Sequence, residues 1–125
     1  MDFPRSLSAE SFGFEHIIYL KNGHRATVTI NRPDVLNCLD FPTLRELHRA
    51  FEDVSWDDNI RVMVLTGAGD RAFCTGADLK EQAAQCIDKP NAYWKWMGAF
   101  IEVHEKLRNI GKVTVARLNG MAVGG

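Results

Sequence analysis

The segment from residue 60 to residue 66 is an almost continuous apolar run, IRVMVLT. A strand that exposes one face to water alternates apolar and polar residues. A strand that is covered on both faces reads instead as an unbroken run of apolar, mostly β-branched residues. Residues 60–66 therefore predict a strand that is buried on both faces.

A β-hairpin is predicted before this strand. Residues 16–21 and 25–30 are both rich in β-forming side chains, and they flank the dipeptide Asn22-Gly23. Asn-Gly between two such runs is the strongest short-range signal for a hairpin. We therefore expect two strands joined by a tight turn.

Two helices are predicted from the spacing of apolar residues. Asp40 is placed to cap the first helix, Pro42 lies in its first turn, and apolar residues recur at helical spacing from position 44 to position 54. Residues 91–108 carry the second helical pattern, and a short strand follows over residues 113–118. Helices that alternate with buried strands indicate the α/β class.

Composition and charge exclude several classes of protein. With 125 residues, 46% of them hydrophobic and 25% charged, the chain fits one domain or part of a larger one. A formal net charge of −1 with scattered Lys and Arg argues against a nucleic-acid partner. The absence of a long apolar run argues against a membrane partner. No signal-peptide pattern is present, and the widely spaced Cys38, Cys74 and Cys86 fit reduced thiols, so we expect a cytoplasmic protein.

The stretch VLTGAGDRAFCTGADLKE, residues 64–81, is rich in glycine and admits two interpretations. Gly67-x-Gly69-x-x-Ala72 satisfies a permissive form of the dinucleotide-binding fingerprint, which would make this loop a pyrophosphate cradle and predict NAD binding. That fingerprint requires a helix immediately after the glycine turn, and Gly76 would break such a helix within about two turns. The other interpretation is a loop whose backbone N–H groups face a different ligand.

Three motifs together resemble the enoyl-CoA hydratase/isomerase family, also called the crotonase family. They are VTINRPDVLNCLD, ending at Asp40, VMVLTGAGDRAFCTGADLKE, ending at Glu81, and VARLNGMAVGG, ending at Gly125. Their order and spacing, with a predicted helix after the first, make the resemblance specific. It covers roughly residues 15–125 and leaves residues 1–14 as an N-terminal extension.

The family resemblance implies a fold and an assembly. The expected α/β fold is the crotonase-like (ClpP/crotonase) spiral of repeated strand-strand-helix turns, and members are typically trimers or dimers of trimers. Members are about twice as long as this chain, so we expect it to be an N-terminal portion whose C-terminal half is absent. We also expect it to self-associate, because a shortened spiral exposes strand edges and apolar faces.

The resemblance also implies a chemistry. Members act on acyl-CoA thioesters through an enolate-like oxyanion at the thioester carbonyl, which needs two preorganised hydrogen-bond donors. The implied donors are the backbone N–H groups of Ala77 and Gly125. Glycine is suited to such a loop because the thioester must approach the backbone closely.

Further residues are implied to contact the CoA part of the substrate. Those near the first donor are Gly76, Asp78, Leu79 and Lys80, and the second donor follows Gly124. A loop that covers the nucleotide end is implied to include Val35, Leu36 and Cys38. Arg32 and Lys80 are candidates for contacts with CoA phosphates. No further cofactor is expected, since CoA is part of the substrate.

The resemblance leaves the reaction open. Hydration of a 2-enoyl-CoA is the simplest expectation, and isomerisation, thioester hydrolysis and ring cleavage are alternatives. The two glutamates that serve as general acid and base in family hydratases would lie beyond Gly125, so we expect residues 1–125 alone to be inactive. A non-catalytic protein that binds acyl-CoA or assembles with partners is a second hypothesis.

Other polar residues predict no separate site. The four histidines form no metal-ligand pattern, and we expect no metal. Glu102 and Glu105 lie three positions apart on the second predicted helix. A solvated helix face explains them, and a place beside the acyl pocket is the alternative.

Overall fold

The computed structural model describes residues 1–125, with two sheets, three α-helices and two short 3₁₀ helices. The α-helices are α1 (Phe41–Trp56), α2 (Leu79–Gln85) and α3 (Pro90–Arg108). The strands are β1 (Ile17–Asn22), β2 (Arg25–Ile30), β3 (Val62–Gly67), β4 (Ala72–Cys74), β5 (Val113–Arg117) and β6 (Met121–Ala122). None of the helices is both long and apolar enough to cross a bilayer.

The larger sheet has the strand order β1-β2-β3-β5. β1 and β2 are antiparallel, whereas β2 with β3 and β3 with β5 are parallel. The predicted hairpin is confirmed: Asn22 pairs with Arg25, and Gly23 has a φ of +61° in the two-residue turn between them. β4 and β6 form the second sheet, which is parallel.

The helix after the hairpin forms where the sequence predicts it. Asp40 is the N-cap of α1 and accepts a hydrogen bond from the N–H of Thr43 at 2.9 Å. The apolar face of α1 buries Leu44, Phe51 and Val54 completely. α1 packs against α3, and together with the sheet they enclose the main hydrophobic core.

The two faces of β3 are buried to different extents, whereas its sequence predicts that both are fully covered. Met63 is fully buried on one face of this strand, whereas Val64 on the opposite face is only half-buried. All five residues of β5 are exposed. The sheet is therefore covered more fully on one face, and β5 is an uncovered edge strand.

Three short elements were not predicted from the sequence: α2, β4 and β6. β4 has three residues, β6 has two and α2 has seven, so none is long enough to establish a periodic pattern. They form because distant parts of the chain meet. β4 pairs with β6. α2, whose N-cap is Asp78, is joined to distant residues through Glu81, which accepts from the Phe41 N–H at 2.7 Å and from the Trp96 indole at 2.8 Å.

The first fourteen residues lie against the end of α1 through a buried polar cluster. Asp53 accepts hydrogen bonds from the Leu7 N–H at 2.7 Å and from the Tyr19 hydroxyl at 2.6 Å. The Lys21 ammonium lies 2.7 Å from Asp53 and 2.9 Å from Asp57. Burial, reinforced by Asp53, raises the pKa of Tyr19 well above its usual range. The cluster fixes the extension to the core domain.

Two asparagine side chains hold the turn between β3 and β4. The Asn37 amide donates to the carbonyls of Ala68 at 3.0 Å and Ala72 at 2.8 Å, and its oxygen accepts from the Arg32 N–H at 2.9 Å. The Asn119 amide donates to the same Ala72 carbonyl at 3.0 Å. Asn37 is 1% exposed and has a φ of +55°, a conformation that asparagine tolerates better than most residues.

We expect Asn37→Ala to destabilise the chain by about 2–3 kcal/mol, because it leaves buried backbone groups without partners. Asn91→Ala, at an exposed position on α3, is the matched control and should change stability by less than about 0.5 kcal/mol. Urea unfolding followed by circular dichroism measures both. Equal effects of the two substitutions would show that the Asn37 contacts contribute nothing specific.

Candidate active site

Two glycine loops from distant parts of the sequence meet backbone to backbone. A Cβ atom built on Gly76 would lie 3.1 Å from the Gly124 Cα and 3.1 Å from the Gly125 nitrogen. A Cβ atom on Gly124 would lie 3.1 Å from the Gly76 Cα. Gly76 and Gly124 also have φ values of +84° and +71°, which side chains disfavour. This contact therefore requires glycine on both sides.

The peptide groups around Ala77 are held by a parallel bridge to Leu39. The Leu39 N–H donates to the Gly76 carbonyl at 2.7 Å, and the Asp78 N–H donates to the Leu39 carbonyl at 2.9 Å. The N–H of Ala77, between these two bonds, donates to no acceptor within the chain, and neither does the N–H of Gly125. The contact of Gly76 with Gly125 thus brings two free N–H donors close together.

An apolar cavity of about 290 Å³ lies beside the Gly124-Gly125 loop. Its lining comes from the sheet, α1, α3 and the loop itself: Ile30, Leu39, Leu47, Phe51, Leu65, Phe73, Cys74, Val103, His104, Leu107, Ala116, Ala122, Val123, Gly124 and Gly125. No carboxylate is among these residues. A larger, more polar groove of about 620 Å³ lies between residues 1–6 and 56–59, and it contains none of the predicted site residues.

His104 and Cys74 are the titratable residues of the apolar cavity. The His104 Nδ1 lies 2.7 Å from the Phe100 carbonyl oxygen, and its Nε2 lies 3.0 Å from the Gly125 carbonyl oxygen. Burial raises the pKa of the Cys74 thiol, which keeps it in the neutral form. The cavity is consequently apolar, and the His104 imidazole and the neutral Cys74 thiol are its polar side-chain groups.

Asp78, predicted to contact CoA, is held by internal contacts. Its Oδ2 lies 3.3 Å from both terminal nitrogens of Arg32, and its Oδ1 caps α2. Burial alone would raise the pKa of Asp78, but the Glu81 N–H and the Arg32 guanidinium outweigh it and hold the pKa below its usual range. Arg32 also lies 3.2 Å from Asp40. Arg32 thus pairs with two carboxylates of the chain, and its approach to a CoA phosphate stays a prediction.

The remaining residues implied to contact CoA divide into two groups. Leu79 and Lys80 are exposed at the start of α2, and Val35 is exposed at the end of a 3₁₀ helix. Leu36 and Cys38 are partly buried, and the Leu36 carbonyl accepts from the Thr75 hydroxyl at 3.1 Å. The structure thus places one predicted loop on each side of the Leu39–Ala77 bridge.

The glycine-rich stretch is not arranged as a pyrophosphate cradle. β3 ends at Gly67 and leads through a turn into β4 rather than into a helix. The Gly67 N–H donates to the Asn119 side chain at 3.0 Å, and the Ala68 N–H donates to the Ile30 carbonyl at 2.8 Å. A Cβ atom on Gly67 would lie 2.4 Å from the Phe73 carbonyl oxygen, so close packing against β4 explains this glycine.

Polar residues elsewhere form no second site. Glu102 and Glu105 are exposed and pair with Arg45 at 3.3 Å and Arg108 at 3.2 Å, as expected for a solvated helix face. No three His, Cys, Asp or Glu side chains are grouped so that they could hold a metal ion.

Asn37, Asn119 and Glu81 were not predicted as site residues. Glu81 accepts from the Phe41 N–H at 2.7 Å and from the Trp96 indole at 2.8 Å, which ties α2 to α1 and α3. The Asn119-Gly120 pair is a turn signal that could have drawn attention to Asn119. No local signal indicates the partners of Asn37 or Glu81, because those partners are distant in sequence.

Comparison with known proteins identifies relatives of this chain. The family model described as enoyl-CoA hydratase/isomerase matches residues 21–125. The (E)-benzylidenesuccinyl-CoA hydratase of Thauera aromatica is 39% identical over 104 residues, which are 83% of this chain and 39% of that protein. The 6-oxocyclohex-1-ene-1-carbonyl-CoA hydrolase of Geobacter metallireducens is 30% identical over 102 residues, 82% of this chain and 27% of that protein.

A solved structure has the same fold. The enoyl-CoA hydratase/carnithine racemase from Magnetospirillum magneticum superposes with a TM-score of 0.83 at 34% identity, covering 88% of this chain and 41% of that one. The chain therefore spans roughly two fifths or less of the length of these proteins. The expected crotonase-like α/β fold, present here as an N-terminal portion, is confirmed. Because the family model matches residues 21–125 and the fold is shared, this chain belongs to the enoyl-CoA hydratase/isomerase family.

Proposed function

We propose that the chain is the thioester-polarising part of an acyl-CoA enzyme, with the N–H groups of Ala77 and Gly125 as an oxyanion hole. The observation that carries this proposal is the pair of N–H groups without acceptors: Gly125 lines the apolar cavity, and Ala77 directly follows Gly76, which contacts Gly125. A thioester oxygen that gains negative charge is stabilised by donors already aimed at it. Removal of one such donor typically slows a reaction by about 10²–10³-fold.

Hydration of a 2-enoyl-CoA is the reaction we favour. Two hydratases, one named for (E)-benzylidenesuccinyl-CoA and one for short-chain enoyl-CoA, are 39% and 34% identical to this chain. A third relative is named a hydrolase, so other reactions of a CoA thioester are alternatives. Hydration also needs a general acid and base, and no carboxylate lines the cavity. We therefore expect residues 1–125 to bind a 2-enoyl-CoA without hydrating it.

The CoA moiety would lie outside the cavity, against the two loops that flank the Leu39–Ala77 bridge. Gly76 and Gly124 would leave room for the thioester, and Val35, Leu36 and Cys38 would face the nucleotide end. Leu79 and Lys80 are exposed and accessible to the adenine and pantetheine portions. Asp78 would contribute through its backbone, because its carboxylate is engaged by Arg32.

Titration with crotonyl-CoA tests the oxyanion hole directly. We expect the backbone amide proton resonances of Ala77 and Gly125 to move downfield in ¹⁵N-resolved NMR spectra as both groups gain an acceptor. Free CoA is the matched ligand because it lacks the thioester carbonyl. It should move resonances in the flanking loops and leave these two amides unchanged. Equal responses to both ligands would contradict the proposal.

Ala77→Pro removes the first donor and breaks no hydrogen bond within the chain. We expect it to weaken crotonyl-CoA binding by about 3–10-fold, the contribution of one hydrogen bond, and to leave free-CoA binding unchanged. Ala77→Ser, which keeps the N–H, is the control and should bind crotonyl-CoA as the unmodified chain does. Isothermal titration calorimetry measures the affinities of the unmodified chain, Ala77→Pro and Ala77→Ser. An unchanged affinity of Ala77→Pro for crotonyl-CoA would contradict the assignment.

Assembly of several copies is part of the same proposal, and a trimer or hexamer is the state we favour for the whole protein. Its support is membership of the family. Residues 1–125 by themselves also expose an apolar edge, in which Val113, Val115 and Leu118 are 64%, 45% and 63% exposed. An uncovered edge strand with apolar side chains is prone to pair with another chain.

We expect residues 1–125 to self-associate, and Val115→Lys to weaken this association by adding a charge to the edge. Sedimentation velocity over a range of concentrations measures the effect. Lys95→Glu, at an exposed position on α3, is a control that should leave the sedimentation profile unchanged. Monomeric behaviour of the unmodified chain at high concentration would contradict the expectation.

A further inference from the structure

Arg32 joins the two loops that meet at Ala77. It follows β2, and its guanidinium lies 3.3 Å from Asp78 and 3.2 Å from Asp40. The same group donates to the Cys38 carbonyl at 2.7 Å. The Arg32 side chain is 17% exposed, so most of these donors are shielded from water. Because this largely buried guanidinium has three partners within the protein, its charge stabilises the contacts between the loops.

Both carboxylates bound by Arg32 are also helix caps. Oδ1 of Asp40 caps α1 through the Thr43 N–H at 2.9 Å, and Oδ1 of Asp78 caps α2 through the Glu81 N–H at 3.0 Å. In each carboxylate the other oxygen, Oδ2, faces Arg32. The guanidinium therefore links the N-termini of two helices, which are also joined by the hydrogen bond from the Phe41 N–H to the Glu81 carboxylate at 2.7 Å.

The contacts of Arg32 lie immediately next to the Leu39–Ala77 bridge, on both of its strands. On one strand of the bridge, Arg32 holds the Cys38 carbonyl and the Asp40 carboxylate, immediately before and after Leu39. On the other strand it holds Asp78, immediately after Ala77. Because the Ala77 N–H has no acceptor within the chain, its direction is set only by the neighbouring peptide groups. Whatever fixes Asp78 and Leu39 therefore fixes the direction of that N–H.

We propose that Arg32 is a positioning residue that sets the direction of the Ala77 N–H by clamping Asp78 to the loop of residues 38–40. The proposal rests on the proposed function of this N–H as a donor to the thioester oxygen. The lowered pKa of Asp78, which stays charged beside the guanidinium, is consistent with a persistent clamp. A direct contact between Arg32 and a CoA phosphate is the alternative, and the burial of the guanidinium opposes it.

Three variants separate these roles. Arg32→Gln removes the charge and the bidentate contact, and Arg32→Lys keeps the charge with a different geometry. Arg45→Gln is the matched control, because Arg45 also pairs with a carboxylate, that of Glu102, at 3.3 Å, but on an exposed face. Hydrogen exchange of the backbone amides is measured without ligand. Affinities for crotonyl-CoA and for free CoA are then measured separately.

For Arg32→Gln we expect exchange of the Asp78 amide, which bonds to the Leu39 carbonyl, to accelerate by about tenfold through local opening, while the amide of buried Val28 is unchanged. Crotonyl-CoA affinity should fall about 3–10-fold with free-CoA affinity unchanged. Arg32→Lys should recover part of both effects and provides the test if Arg32→Gln does not fold. Arg45→Gln should change neither quantity.

Two results would overturn the proposal. Acceleration of all amides alike, Val28 included, would show that Arg32 acts only on global stability. An unchanged Asp78 exchange rate together with weaker binding of free CoA would make Arg32 a phosphate ligand. If crotonyl-CoA leaves the Ala77 and Gly125 amides of the unmodified chain unperturbed, the proposed function fails. The clamp itself is still decided by the exchange rates, which are measured without ligand.

Discussion

The contact between Gly76 and Gly124 is the constraint on which the rest of the site depends. Two loops, separated by nearly fifty positions in sequence, approach so closely that no side chain fits between them. Pairing of β4 with β6 brings them together, since the Val123 N–H donates to the Cys74 carbonyl at 3.1 Å just before the contact. The asparagine bonds to the Ala72 carbonyl hold the start of β4. The geometry of the site is thus built from backbone and amide contacts rather than from a rigid helix.

Close approach of two backbones also explains why N–H groups are left free. In a helix or in a strand with neighbours on both sides, each internal N–H is used by a neighbouring carbonyl, so no donor is available to a ligand. At Ala77 the bridge to Leu39 uses the carbonyl before it and the N–H after it, and leaves its own N–H free. The arrangement therefore offers donors at little cost to the folded state.

The sequence predicts the elements whose signals are local. The hairpin follows from Asn22-Gly23, and α1 follows from a capping aspartate with an apolar stripe, because each signal lies within the element that it specifies. β4, β6 and α2 depend on contacts between distant residues, and they are too short to show a period. Asn37 appears in sequence as an ordinary loop residue, and its role follows from a positive φ together with partners more than thirty positions away. The pairing of Ala77 with Gly125 was inferred from the family resemblance, and periodicity or composition alone could not have produced it.

The proposed donors belong to the backbone, whereas proton transfer is carried out by side chains. This division helps to explain how one fold can serve several reactions. The proposed donors are peptide N–H groups, whose identity does not change when side chains change, and the cavity that Gly125 lines is apolar and carries no carboxylate. Groups that move protons can therefore vary without disturbing the donors. Relatives named as hydratase and as hydrolase, both similar to this same stretch of chain, fit that separation. Under the proposed function, what this part of the fold must preserve is the direction of two N–H bonds, and that requirement falls on glycines, asparagines and one partly buried arginine rather than on any reacting side chain.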